Sequence, residues 1–206
     1  MVVGVFQLVS AFIAGPLEKK MDLRWMLCLG LGLFALGSWM NGNLTGESGY
    51  WEFFWPQAIR GSALMLCFLP INTLSLGRLP MEEVKNASGL YNLMRNLGGA
   101  IGLAVANTQM IYLTKVHYAT LRESVTATSY QAQQMLEGLT ASMAQMNLPD
   151  PDLAALKQLT GLALREAEIM TFNNLFQVIA VIFAASLVVA PFLKKVDGEK
   201  AAVIHE

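Results

Sequence analysis

Residues Phe172–Leu193 read FNNLFQVIAVIFAASLVVAPFL, without a single Asp, Glu, Lys or Arg. A helix needs about 20 predominantly apolar residues to cross the hydrocarbon core of a bilayer. A helix on the surface of a soluble domain keeps one polar face, and this run has none. The stretch therefore predicts a membrane-spanning helix.

Four further runs have the same character: Met1–Leu17, Trp25–Asn41, Phe53–Gly77 and Leu90–Leu113. The chain has 14 Lys and Arg and 15 Asp and Glu residues, yet only Arg60 and Arg95 lie inside the five runs. Hydrophobic residues make up 54% and charged residues 14%, with a mean hydropathy of +0.45, whereas a soluble domain carries about 25% charge. We expect an all-α fold, a polytopic bundle of five transmembrane helices.

A secretory signal peptide is the alternative to a spanning helix for the first run. The run has no basic leading region, and the sequence after it, GPLEKK at positions 15–20, is not a small-x-small cleavage site. A truncated or terminal spanning helix is the better interpretation. Gly15 and Pro16 are expected to end that helix before a short basic turn.

Lys and Arg in the short loops predict the orientation, because basic loops stay in the cytoplasm. The link Gly42–Glu52 has neither residue. Basic residues occur in the two flanking links and in the C-terminal tail: Lys19, Lys20, Arg24, Arg78, Lys85, Lys194, Lys195 and Lys200. This pattern gives an external N-terminus, five passes and a cytoplasmic tail, which reads like the end of a larger protein.

The connection between the fourth and fifth spans has an amphipathic pattern. Apolar residues repeat at helical spacing before and after Pro149-Asp150-Pro151: Ala132, Leu136, Leu139, Met143, Met146, Leu153, Leu156, Leu159, Leu162 and Ala163. This predicts an external helical hairpin. The organisation is then four spans in 1–113, the hairpin in 114–171, the last span in 172–193 and a cytoplasmic tail in 194–206.

Polar residues inside the spans are the candidate substrate-path residues, because an intramembrane charge is costly unless it has a partner or water. Arg60 lies about 7 Å inward of Trp55 at 1.5 Å per residue, so it could snorkel to the interface, pair structurally or face a cavity. Pro70 frees a backbone carbonyl near Asn72 and Thr73, as in broken helices that line cavities.

The fourth span begins with a polar cluster and continues with small residues. Arg95 lies close to Asn92 and Asn96. This polar cluster either has a structural role at the end of the helix or contacts a gate. Gly98 and Gly102 have the spacing of a helix-packing motif.

Several functional classes are excluded by what the chain lacks. Neither His117 nor His205 has metal-ligand spacing to another ligand, and no catalytic or phosphate-binding motif occurs. The net charge of −1 gives no excess of positive charge that would indicate binding to nucleic acid. Cys28 and Cys67 lie inside apolar runs, so a disulfide or metal pair is not expected. We predict no enzyme, no cofactor and no metal.

The stretch SLGRLPMEEVKNASGLYNLMRNLGGAIG, residues 75–102, resembles the fourteen-helix drug:proton antiporters of the major facilitator superfamily, EmrB/QacA type. Gly15–Arg24, Pro56-Gln57 with Arg60-Gly61, and Phe172–Phe176 support the resemblance, as does the long external connection. It implies that the five spans are helices ten to fourteen.

The resemblance further implies a C-terminal fragment of a proton-driven multidrug efflux permease in a bacterial inner membrane. The fragment would form part of a substrate-path wall for amphipathic molecules and work by alternating access. Its implied partners are the bilayer, the missing N-terminal half and a periplasmic adaptor protein. The family's proton-coupling acid has no counterpart here, so we expect no transport by the chain alone. The alternatives are a non-transporting membrane scaffold, an inactive remnant or, last, a membrane enzyme.

Overall fold

The computed structural model describes residues 2–77, 79–124, 130–145 and 150–193, and all described regular structure is helical. Its elements are α1 (Val2–Lys20), α2 (Leu23–Asn41), α3 (Tyr50–Leu76), α4 (Met81–Ser124), α5 (Tyr130–Gln145), α6 (Pro151–Val189) and a closing 3-10 turn (Ala190–Phe192). The all-α prediction is confirmed. The predicted cytoplasmic tail, residues 194–206, lies outside the described residues.

Three described helices are long and apolar enough to cross a membrane: Leu23–Asn41, Tyr50–Leu76 and Pro151–Phe192. The apolar part of α1, Val2–Glu18, is shorter. The predicted fourth span, Leu90–Leu113, forms the middle of the much longer α4. The count of five spans stays a prediction.

Prolines interrupt neither α1 nor α3. Pro16 lies inside α1, which continues to Lys20, and Pro56 and Pro70 lie inside α3, which continues to Leu76. The expected helix end at Gly15-Pro16 and the expected break at Pro70 are therefore wrong. A proline still leaves the carbonyl four residues earlier without its helical partner. Pro56 and Pro70 are both fully buried, so neighbouring helices cover these positions.

The chain divides into two compact units, residues 1–104 with 176–206, and residues 105–175. In the first unit α3 packs against both α1 and α2. Glycines allow this close approach: a Cβ at Gly61 would lie 2.5 Å from the Val3 carbonyl oxygen, and one at Gly30 would lie 2.7 Å from Cys67 Sγ. In lipid the hydrophobic effect does not drive helices together. Small residues promote helix association there because they let the backbones come close.

Apolar side chains fill the remaining space between these helices. One cluster joins Ala14, Met26 and Leu66, and a second joins Leu27, Leu31 and Ala190. The outer faces stay apolar and uncovered, for example Phe12 at 82% exposure and Trp25 at 65%. Such surfaces are stable in contact with lipid, which agrees with a membrane location.

The second unit has an unexpected buried face on α6. Ala155, Ala167 and Thr171 are buried at spacings of multiples of four, whereas Leu153 and Leu156 of the predicted apolar face are exposed. Thr114 Oγ1 donates to Thr171 Oγ1 at 3.2 Å, which joins α4 to α6. Three residues further along each helix, Asn174 Nδ2 and His117 Nε2 lie 2.9 Å apart. Small and polar residues thus mediate this contact. On α5, Ala132, Leu136, Leu139 and Met143 are half-buried, as the sequence pattern predicts.

Candidate functional site

Arg60 is half-buried in α3, and two aromatic rings enclose its guanidinium group. Its Cζ lies 5.4 Å from the ring centroid of Phe34 on α2 and 5.0 Å from that of Phe176 on α6. Cation–π contacts of this kind are strongest where the cation is removed from water. The rings belong to two other helices, α2 and α6, and a role of Arg60 in the substrate path stays a prediction.

The backbone of α2 comes directly against the stem of Arg60. A Cβ at Gly37 would lie 2.7 Å from Arg60 Cγ and 3.1 Å from the Pro56 carbonyl oxygen. Any larger residue at position 37 would push the arginine out of its place between the rings. Gly37 is therefore needed at this helix crossing.

Two polar side chains of α2 lie within one helical turn of Gly37. Ser38 is 0% exposed and Asn41 is 2% exposed. The Ser38 hydroxyl, both polar atoms of the Asn41 amide and the Arg60 Nε are buried without a hydrogen-bond partner in the described part of the chain. Buried polar groups are normally paired with protein or ordered water, and the described part of the chain offers these four atoms no protein partner.

Helix α6 closes this region from the third side. Gln177 Nε2 donates to the Gly42 carbonyl oxygen at 3.0 Å, next to Phe176 on α6 and next to Asn41 on α2. We call the set Phe34, Arg60 and Phe176 the Arg60 junction, in which a guanidinium group of α3 contacts one ring of α2 and one ring of α6.

An apolar groove of about 210 Å³ shares Phe34 with the Arg60 junction. Its walls come from α2, α3 and α6: Phe34, Leu64, Cys67, Phe68, Ile71 and Phe183. Arg95 Cζ lies 5.3 Å from the centroid of Phe68, so a second guanidinium group faces a ring of the groove. The groove therefore has an apolar floor with one arginine beyond Phe34 and another beyond Phe68.

A larger depression of about 390 Å³ has the wrong shape for a binding site. Tyr118, Ala119, Arg122 and Glu123, which line it, all belong to α4. One helix cannot enclose a ligand, so this depression is a shallow feature of the surface of α4 and not a binding site.

The other predicted path residues lie elsewhere on α3. Thr73 Oγ1 donates to Glu18 Oε1 at 2.5 Å, which ties the end of α3 to the end of α1. Asn72 is half-buried beside it. Thr73 therefore has a structural partner, and neither residue lines the groove.

Gly98 and Gly102 were predicted to pack against another helix. No described atom lies within 4 Å of a Cβ built at either glycine. Their neighbours on α4, such as Leu97 and Ile101, are also exposed, at 51% and 57%. In this chain the small-residue face of α4 is uncovered.

Sequence reasoning identified Arg60 and Arg95 but missed Phe34, Ser38, Asn41 and Phe176. A serine and an asparagine three residues apart inside the second apolar run were the available signal. The two phenylalanines could not be distinguished from lipid-facing ones, because their contacts join residues far apart in sequence. Among the described residues, no group of three or more His, Cys, Asp or Glu side chains could hold a metal ion.

Bacterial multidrug transporters match most of the chain. The colistin resistance protein EmrB of Acinetobacter baumannii is 31% identical over 195 residues, which cover 95% of this chain and 38% of that protein. The multidrug export protein EmrB of Escherichia coli K12 is 32% identical over 148 residues, which cover 69% of this chain and 29% of that protein. The MFS-type transporter YhcA of Bacillus subtilis is 21% identical over 201 residues, again 38% of its length.

The chain thus spans between 29% and 38% of the length of these relatives. No family model matches it. All three relatives have names that describe transport, export or resistance, and none is named as an enzyme.

Proposed function

Since the chain is a homologue of the EmrB-type multidrug transporters of the major facilitator superfamily, we propose that it forms the C-terminal part of a multidrug efflux permease. One observation carries the proposal most directly. An apolar groove shares Phe34 with a half-buried arginine whose Nε has no described partner, in a helix long and apolar enough to cross a membrane. Ionisable groups in such a position mark substrate paths in membrane proteins.

The groove suits amphipathic substrates. Its wall is entirely apolar, and ligand sites generally combine apolar walls with a few polar groups that fix orientation. Arg60 supplies the polar group beyond Phe34, and Arg95 supplies a second beyond Phe68. Substrate would lie against this wall while the opposite wall comes from the N-terminal half of the permease, and the two halves would alternate access by rocking.

The uncovered face of α4 fits this proposal. An isolated transmembrane helix with small residues at its surface lacks its packing partner. Gly98 and Gly102 would take a helix of the N-terminal half at that face. Bacterial inner-membrane location, with basic loops and the C-terminus in the cytoplasm, belongs to the same proposal.

A periplasmic adaptor protein is a second proposed partner, in the region of α5 and the first part of α6. Leu153 and Leu156 are 52% and 51% exposed. Exposed leucines in a segment predicted to lie outside the membrane favour contact with another protein. The non-transporting scaffold remains the alternative function, since the same packing faces would serve it.

Expression of the 206-residue chain in a strain without its own drug pumps should leave drug sensitivity unchanged. The complete permease containing it should confer resistance that is lost when the proton gradient is collapsed. The physical reason is that half of the substrate path and the coupling acid would be absent from the chain alone. Proton-dependent resistance from the chain alone would contradict the proposal.

The orientation has its own test, in a chain carrying Cys28→Ser and Cys67→Ser. Cysteines placed at the exposed positions Lys20 and Glu47 should react oppositely with an impermeant maleimide, because one loop is basic and the other is not. We expect labelling of the Glu47→Cys chain in intact cells and of the Lys20→Cys chain only after permeabilisation. The reverse pattern would invert the topology.

A further inference from the structure

Two apolar helices end at the same corner of the first unit. The candidate span of α2 begins at Leu23, and that of α6 with the closing 3-10 turn ends at Phe192. The turn packs against α2, and Arg24 Nη1 donates to the Pro191 carbonyl oxygen at 3.5 Å. Because both apolar stretches stop here, we expect this corner to lie at the depth of the lipid head groups. We call Arg24, Trp25, Pro191 and Phe192 the Arg24 corner.

Most of the hydrogen-bonding capacity of Arg24 is left unused by the protein. A guanidinium group has five N–H donors. The described part of the chain gives this group one hydrogen bond, a long one to Pro191, and leaves its Nε buried without a partner. A cation beside the last carbonyls of a helix is favourable, but that structural role occupies a single N–H group. The side chain is half-buried, so the remaining donors at its tip reach the surface of the protein.

The surroundings of this guanidinium group are apolar and uncovered. Trp25, which follows Arg24 in α2, is exposed, and Phe192, which follows Pro191, is 83% exposed. Tryptophan is enriched where a protein meets the interface between acyl chains and head groups. Exposed aromatic residues next to both partners of the hydrogen bond suit a molecule that has apolar chains and a charged head.

The charge of the corner favours a negative head group. The segments that contain it, residues 15–24 and 190–195, hold five basic and two acidic residues in the sequence. They are Lys19, Lys20, Arg24, Lys194 and Lys195, with Glu18 and Asp22. One of the acids, Glu18, accepts a hydrogen bond from Thr73. Basic residues beside a membrane span attract anionic lipids, whereas a zwitterionic head group carries its own compensating ammonium.

We propose that Arg24 binds the phosphate of an anionic phospholipid of the phosphatidylglycerol type, whose acyl chains lie along Trp25 and Phe192. Guanidinium and phosphate groups form short, charge-assisted hydrogen bonds, often two at once. The lipid would connect the start of α2 to the end of the closing turn. This inference goes beyond the proposed function, because it concerns the lipid around the protein and not the substrate path.

Native mass spectrometry of the purified 206-residue chain tests the proposal without any transport. The chain in a non-ionic detergent would be titrated with phosphatidylglycerol and, separately, with phosphatidylcholine of the same acyl chains. We expect the first phosphatidylglycerol to bind about fivefold tighter than the first phosphatidylcholine, which is the effect of one basic residue near a charged membrane surface. Equal affinities for the two lipids would overturn the proposal.

Substitutions identify the residue. Arg24→Gln keeps a polar side chain but removes the charge, so it should abolish most of this preference. Arg24→Lys keeps the charge and loses only the paired geometry, so it should retain part of the preference. Lys85→Gln is the matched control, because it removes one positive charge from an exposed position on α4. A preserved preference in Arg24→Gln, a complete loss in Arg24→Lys or an equal loss in Lys85→Gln would each overturn the proposal.

A soluble anion is the other source of a phosphate group. Inorganic phosphate should not displace the bound phosphatidylglycerol beyond the effect of ammonium acetate at equal ionic strength, because the acyl chains hold the lipid against Trp25 and Phe192. Specific displacement by phosphate would identify a site for a free anion and overturn the assignment to lipid. Absence of the lipid preference in a permease that exports drug would refute this inference and leave the proposed function standing.

Discussion

Arg60→Ala should lower export by the complete permease by about tenfold to a hundredfold, while the amount of protein in the membrane stays the same. The arginine contacts two rings, and its Nε has no described partner. The Nε–H donor is therefore available to hydrogen-bond a ligand. A hydrogen bond to a charged group is worth about 1.5–3 kcal/mol, which corresponds to this loss in rate. Export would be measured as drug efflux from energised, pump-deficient cells.

Arg60→Lys separates this explanation from snorkelling. An ammonium group is a compact point charge that cannot stack as a plane between Phe34 and Phe176 or replace the Nε–H. We expect Lys to restore only a small part of the export. Full activity in Arg60→Lys would mean that a charge near the interface suffices, and normal export by Arg60→Ala would remove Arg60 from the substrate path.

Gly61→Ala should destabilise the first unit, because the new methyl group would meet backbone and not a flexible side chain. Its Cβ would lie 2.5 Å from the carbonyl oxygen of Val3 and 3.1 Å from the Val3 Cα. Separating α1 from α3 should cost about 1–3 kcal/mol, as overpacking does in other cores. The measurement is the midpoint of thermal unfolding in detergent, followed by circular dichroism.

Gly4→Ala is the matched control, because it makes the same change in a helix where nothing lies within 4 Å of the new Cβ. Both variants gain the same helix propensity, about 1 kcal/mol, so their difference reports the contact alone. Equal unfolding temperatures for Gly61→Ala and Gly4→Ala would show that α1 and α3 do not approach as described.

The sequence predicted the helices better than it predicted their ends. Long apolar runs with at most one charged residue identified α2, α3 and the second part of α6, since length and hydropathy are local properties. The predicted end at Gly15-Pro16 and the predicted break at Pro70 were wrong because a proline can remain inside a helix, whether its position is covered by neighbouring helices, as at Pro70, or exposed, as at Pro16. The hydropathy of a span likewise gives no information on how far its helix continues, as α4 illustrates.

The site could be predicted only in part, for a related reason. Arg60 could be selected from the sequence alone, because a charged residue inside a membrane span is rare. Thr73 stays a predicted path residue, and its hydrogen-bond partner, Glu18, lies 55 positions away in the chain, beyond the reach of any local pattern. The burial of Asn41 depends on packing between segments far apart in the chain, and no local pattern encodes it.

The central claim, that the groove lies on the substrate path, is tested most directly by the two cysteines of the chain. Both cysteines pack against the cluster around Leu27 and Leu31, but only Cys67 is among the residues that line the groove. Each would be kept as the single cysteine of the complete permease and labelled with a membrane-permeant maleimide, with and without an amphipathic drug. We predict that the drug slows the labelling of Cys67 about tenfold and leaves Cys28 unchanged. Equal labelling of Cys67 in the presence and absence of drug, in a permease that exports it, would contradict the claim.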